Sequence, residues 1–180
     1  KAEHIALVQA AGGSMNGTTW LDRTNYYETV PSHQLELALW LEADRMGTLL
    51  EALSQENLDN QRSVVKNEKR SSYDNQPYGT WQEKLLGHLY PDGHPYHHPT
   101  IGSMEDLDAA SLEDVAAFFR TYYRPGNASL VLAGDIDSAQ AFELADKYFG
   151  EIPAGQPLSP ATVPPTSLSG EVRLLLEDRV

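Results

Sequence analysis

The clearest periodicity lies in "LDNQRSVVKNEKR", Leu58 to Arg70, where Leu58, Gln61, Val65 and Glu68 recur at helical spacing on one face. Leu and Val assign that face to packing against apolar surface. Glu68 then sits where a carboxylate is costly to bury unless a cation or donor meets it. Upstream, Ile5, Ala6, Val8 and Gln9 form a short helix that Gly12 and Gly13 end. "SMNGTTWLDRTNYYETV" alternates Thr, Trp and Tyr with polar residues and predicts two strands around a turn near Leu21-Asp22-Arg23. Pro31 and Ser32 close the second strand, with Ser32 as N-cap of a helix over 33–53. There Leu35, Leu39, Glu42, Met46 and Leu49 mark the core side.

Ser54, with Asn57 at the third position, caps a helix that carries the opening stretch as far as residue 75. Another helix starts around Pro77 and carries Trp81, Leu85, Leu86 and Leu89. The prolines and glycines of "YPDGHPYHHPTIG" predict a loop. Ser111 with Asp114 opens a helix that ends before Pro125-Gly126. "ASLVLAGDI" reads as a buried strand, and "SAQAFELADKYFG" as a helix closing at Gly150.

This order predicts an α+β fold, a largely antiparallel sheet with helices packed on it. The expected division is a main domain over 1–152, a linker over 153–170 that holds five prolines, and a strand over 171–180 leading into a further domain. The chain starts without Met and partway into a helix, which reads as truncation.

At 180 residues, 41% hydrophobic and 22% charged, the composition is that of a globular protein. A formal net charge of −13 argues against general nucleic-acid binding, because a phosphate polyanion would be repelled. The absence of Cys excludes a disulfide, a thiolate metal site and a Cys nucleophile. No apolar run is long enough to span a membrane, and no signal-peptide pattern stands in these residues; the compartment stays open, with a soluble, cytoplasmic protein favoured.

Several motifs fail. "GGSMNG" leaves a helix and enters a strand, the reverse of the nucleotide-loop order, and no G-x-S-x-G elbow occurs. His94, His97 and His98 in "HPYHH" have metal-like spacing, but Pro95 and Pro99 deny them a common helical face, so loop histidines are expected. On its own helix, Glu68 reads as a surface carboxylate paired with Lys66, Lys69 or Arg70, or as one on the helix flank. The alternative is a metal ligand whose companions come from elsewhere.

Four stretches occur in order: "GGSMNGTTWLDRTNYY", "VVKNEKR", "HPYHHPTIGSMEDL" and "FFRTYYRPGNASLVLAGDID". Together they resemble the pitrilysin, or insulinase-type, zinc peptidases, the family that includes the mitochondrial processing peptidase. The resemblance implies the N-terminal, zinc-binding half of a zinc-dependent endopeptidase acting on peptides or unfolded segments, with residues 1–152 as the main part of that N-terminal peptidase domain and a metallopeptidase half-domain fold. Members carry an inverted His-x-x-Glu-His motif whose histidines bind zinc and whose glutamate is the general base. No such motif stands in these residues, and the family spacing places it just before Lys1.

By this resemblance Glu68 is the third zinc ligand, and no catalytic residue lies in this chain. Gln61, where many relatives have a second glutamate, supports the site through hydrogen bonding. Ser14, Met15, Asn16, Gly17 and Thr18 form the edge strand that binds extended substrate through its main chain. The implied partners are a peptide substrate and a second homologous domain or partner subunit, without which the chain is inactive. The competing reading is a non-catalytic scaffold or partner subunit of the same family.

Overall fold

The computed structural model describes residues 2–178. They form two compact units. One comprises Lys1–Thr19, Arg23–Leu53 and Leu112–Ser159; the other comprises Trp20–Asp22, Ser54–Ser111 and Pro160–Val180.

In the first unit, helix α1 (Ala2–Ala10) ends where Gly12 takes φ +80°. Gly13 then brings the chain close against the second strand: a Cβ there would lie 2.6 Å from the Thr29 carbonyl oxygen. Strands β1 (Ser14–Thr19) and β2 (Thr24–Thr29) form the expected antiparallel hairpin, in a register that sets Met15 opposite Glu28 and Gly17 opposite Tyr26. A 3-10 turn over Ser32–Gln34 leads into α2 (Leu35–Thr48), and the Ser32 side chain caps neither element. The expected 33–53 helix thus begins later and finishes as a second 3-10 turn, Leu49–Ala52.

Helix α2 is the centre of this unit. Leu39, Leu41 and Ala43 are all buried, and positions 39 and 41 lie on different sides of a helix. A single stripe through Leu39 and Met46 therefore understates its burial. Later in the chain the unit adds α6 (Leu112–Tyr122) and α7 (Ser138–Phe149), which bury Ala116 and Ala141. The Asp137 carboxylate caps α7 by accepting from the Gln140 N–H at 2.9 Å. On α2, Glu36 accepts from Tyr148 of α7 at 2.7 Å.

The second unit starts with α3 (Gln55–Lys69), capped as expected by Ser54, whose hydroxyl accepts from the Asn57 N–H at 3.2 Å. The helix widens into a π turn over Arg70–Asp74 instead of continuing to 75. Helix α4 (Trp81–Leu89) begins later than Pro77 suggests, because Tyr78 sits at φ 56°, a left-handed conformation that no α-helix contains. A short α5 (Met104–Ala109), absent from the sequence reading, is capped by Ser103 accepting from the Asp106 N–H at 2.9 Å. That pair repeats the spacing recognised at Ser111 and Asp114.

The fold is helix-rich, with one two-stranded antiparallel sheet among the described residues. The expectation of a largely antiparallel sheet is corrected here. "ASLVLAGDI" makes no ladder, and its Val131 is 82% exposed. Residues 171–178 likewise pair with no strand among the described residues, and 179–180 of that expected strand lie outside them. A short apolar run supplies strand propensity, but a ladder also needs a neighbour to take its N–H and C=O groups. Among the described residues no helix is long and apolar enough to cross a membrane.

Leu41 is completely buried at the centre of the first unit, so Leu41→Ala should cost about 3 kcal/mol in a denaturant melt of the full-length protein.

A candidate metal-ligand helix and a peptide-binding edge

Helix α3 divides into two sides. Leu58, Arg62, Val65, Lys66 and Lys69 are partly or fully buried, whereas Gln61, Val64 and Glu68 are exposed. The inward face expected to carry Gln61 and Glu68 is thus displaced around the helix, and basic residues occupy its polar positions. The Arg62 guanidinium donates to the carbonyl oxygens of Leu107 at 2.7 Å and Ala110 at 2.6 Å, closing the end of α5. Lys66 donates to both Asp108 oxygens at 2.6 and 2.7 Å, and its ammonium holds the Asp108 carboxyl below the ordinary value. Lys69, 6% exposed, meets Glu83 at 3.3 Å.

These contacts leave Glu68 on the exposed flank of α3, without the ion pair that one local reading gave it. Its three nearest cations in sequence were the partners expected of a surface carboxylate. Lys66 and Lys69 bond elsewhere, and Arg70 donates to Asn67 at 3.1 Å. Among the described residues the Glu68 carboxylate has no hydrogen bond or ion pair; only its backbone oxygen accepts, from Ser71. An exposed, unpaired carboxylate suits an oxygen ligand to a dication. No group of three His, Asp or Glu side chains among the described residues could hold a metal, so Glu68 would be one donor of a set completed elsewhere. Gln61 stands seven residues earlier on the same exposed side, two helical turns away.

The histidines of the 90–99 loop are not gathered. His94 is buried and stacked on Tyr90 with ring centroids 4.5 Å apart, and its Nδ1 accepts from the Tyr96 N–H at 3.0 Å. The Nδ1 of His97 pairs with the Tyr90 carbonyl oxygen at 2.8 Å, and that of His98 lies 3.2 Å from the Pro99 oxygen. Each ring shapes its own loop.

In the other unit, β1 bonds to β2 along one edge, and no other strand among the described residues pairs with it. Ser14, Asn16, Gly17 and Thr18 are exposed and Met15 is half-buried. Asn16 turns its carboxamide oxygen back to the Gly17 N–H at 2.8 Å. The hairpin is held against α2 and against Tyr123, just after α6, by aromatic contacts that periodicity did not reveal. The Arg45 guanidinium lies over the Tyr26 ring, 4.2 Å from its centroid, and the Tyr26 hydroxyl meets that of Tyr123 at 2.9 Å.

Comparison with known proteins adds a family context. Residues 109–179 match the family described as "Peptidase M16 inactive domain", a stretch that begins after both β1 and α3. The chain is 35% identical over 147 residues to the zinc protease PqqE of Helicobacter pylori, covering 82% of this chain and 32% of that protein. It is 25% identical to the mitochondrial-processing peptidase subunit beta of Caenorhabditis elegans, covering 92% of this chain and 36% of that one. A crystal structure of a Helicobacter pylori protease superposes with a TM-score of 0.79 at 32% identity, covering 91% of this chain and 38% of that one. The chain therefore spans about a third of the length of the curated relatives it matches.

Because Arg62 satisfies two carbonyl oxygens from a partly buried position, Arg62→Ala should destabilise the full-length protein by about 2 kcal/mol. Arg62→Lys should recover less than half of that loss in the same melt, since one ammonium cannot reproduce the fork.

Proposed function

The chain belongs to the pitrilysin-type, or M16, peptidase family, and we propose from that premise that it is part of a zinc-dependent endopeptidase acting on peptides or unfolded segments. The observation that carries this reading is Glu68, an exposed carboxylate left unpaired while Lys66, Lys69 and Arg70 bond elsewhere. In this role Glu68 supplies one oxygen to the metal and brings a negative charge that two neutral imidazoles would not. No His-x-x-Glu-His stands within the 180 residues, so the imidazoles and the general base would come from outside them. Zinc held in that way supplies a Lewis acid for the scissile carbonyl and acidifies water.

The remaining residues bind and orient. Gln61 cannot act as a base, but its amide can donate or accept on the same side of α3. The free edge of β1, Ser14 to Thr18, offers main-chain N–H and C=O groups to which an extended peptide can add as a further strand. That mode recognises backbone before side chain, which suits unfolded substrates. Residues 153–170 would serve as linker to a second homologous domain or partner subunit that completes substrate enclosure.

The description of residues 109–179 as an inactive domain supports a second reading, a scaffold or partner subunit that keeps the fold without catalysis. Zinc content separates the two. If the chain is part of a peptidase, the purified full-length protein should hold about one zinc per chain. Glu68→Gln should weaken zinc binding about tenfold or more and abolish cleavage of an unstructured peptide. Because the residue is exposed, the metal-free variant should melt like the metal-free wild type, within about 0.5 kcal/mol. Equal zinc retention by wild type and variant would remove Glu68 from the metal site. A wild-type protein that binds no zinc would favour the scaffold.

A further inference from the structure

One half-buried acidic group has no part in the reading above. Glu28 lies on β2 directly opposite Met15 of β1. Both of its carboxyl oxygens are shut off from water, and neither has a hydrogen-bond partner in good geometry among the described residues. An ionised carboxylate in that position would lose its hydration without compensation.

The groups around it are few. Helix α2 presents Glu42 and Arg45, β2 itself presents Tyr26, Tyr123 just after α6 meets the Tyr26 hydroxyl, and β1 supplies only the uncharged Met15 opposite. Arg45 is the single cation in this group, and it is committed. Its Nη2 donates to Glu42 Oε1 at 2.8 Å, its plane lies over Tyr26, and its Nε is buried without a partner. Arg45 therefore balances Glu42. An ionised Glu28 would leave the group with one uncompensated negative charge beside another carboxylate. A neutral Glu28 instead carries an O–H that the Glu42 carboxylate can accept.

We propose that Glu28 is held protonated in the folded chain and, as a neutral acid leaning on Glu42, positions the β1–β2 hairpin on α2. Burial first, and then the charge of Glu42, push its carboxyl from the ordinary 4.5 up to about 7, with Arg45 opposing the rise. The folded chain then binds more protons than the unfolded chain between those two values. Stability accordingly falls as pH rises from about 4.5 to about 7 and stays reduced above that window. The consequence for substrate rests on the proposal that β1 is the peptide-binding edge: loosening the hairpin on α2 displaces the strand that the peptide must pair with.

The test uses the full-length protein and Glu28→Gln, which keeps the shape of the neutral acid and cannot ionise. Thermal melts of both are recorded from about pH 5 to pH 8.5, with KM and kcat for an unstructured peptide over the same range. The wild type should lose roughly 3 °C or more relative to the variant as pH rises from about 5 to just above 7, with little further change beyond. Its KM should rise several-fold across that interval while the KM of the variant does not follow. A melting difference that stays constant with pH overturns the proposal, whatever the protein cleaves. If the difference follows pH in a protein that cleaves no peptide, the proton link stands and the peptide-edge reading falls. Should Glu28→Gln not fold, Glu42→Gln reads the same proton, because removing the neighbouring charge must move the pH midpoint downward. A midpoint that does not move counts against the proposal.

Discussion

Arg62, Lys66 and Lys69 turn toward the packed side of α3, where Arg62 closes the end of α5 and the two lysines meet Asp108 and Glu83. Each contact satisfies groups that would otherwise carry a desolvation cost, and together they fix the rotation of the helix. That rotation in turn fixes which residues it presents outward. Gln61, Val64 and Glu68 are exposed because the cations hold the other side. The candidate ligand is thus defined by the interactions of its neighbours, more than by contacts of its own.

The helix itself was legible. Ser54 with Asn57 gave its start, and the run from Leu58 to Val65 gave its length. Its packed face was not legible, because a period of 3.6 residues assigns a direction only when apolar residues dominate the packed side. Here Arg62, Lys66 and Lys69 take those positions. Each is an amphipathic side chain that buries its stem: Arg62 pairs with Asp59 and also reaches the carbonyls of Leu107 and Ala110, Lys66 reaches Asp108, and Lys69 reaches Asp74 and Glu83. No local pattern in "QRSVVKNEKR" announces Leu107, Asp108 or Glu83. The surface-pair reading of Glu68 assumed that charges seek sequence neighbours. In the structure Arg62 and Arg70 do bond residues three positions away, Asp59 and Asn67, whereas Lys66 and Lys69 reach Asp108 and Glu83.

A related limit explains the sheet. Thr, Tyr and Trp around a short turn sufficed to locate β1 and β2, because a hairpin supplies its own partner. "ASLVLAGDI" has comparable propensity, but its pairing depends on residues distant in sequence, and among those described none serves. Strand propensity was therefore read correctly as a tendency and incorrectly as a ladder. The missed α5 is a smaller case: Ser103 with Asp106 carries the same capping signal as Ser54 with Asn57, but the proline-rich loop before it drew the boundary too far.

Glu42 joins the legible part to the illegible part. The spacing Leu35, Leu39, Glu42, Met46 set a carboxylate within the apolar stripe of α2, and the structure supplies its partner three residues on, in Arg45. What periodicity within one helix could not show is that a second carboxylate, Glu28, arrives on the same group from β2. Strand alternation indicates only that Glu28 and Tyr26 share one side of the hairpin, and for a glutamate that side is normally the solvent side. Stacking Arg45 on Tyr26 draws this side of the hairpin onto α2 instead. The aromatic contact and the burial of Glu28 are therefore one packing event. A glutamine at position 28 would keep that packing and remove the proton, and an aspartate would keep the proton but shorten the reach to α2. Glutamate provides both the length and the ionisable group that a proton-held hairpin needs.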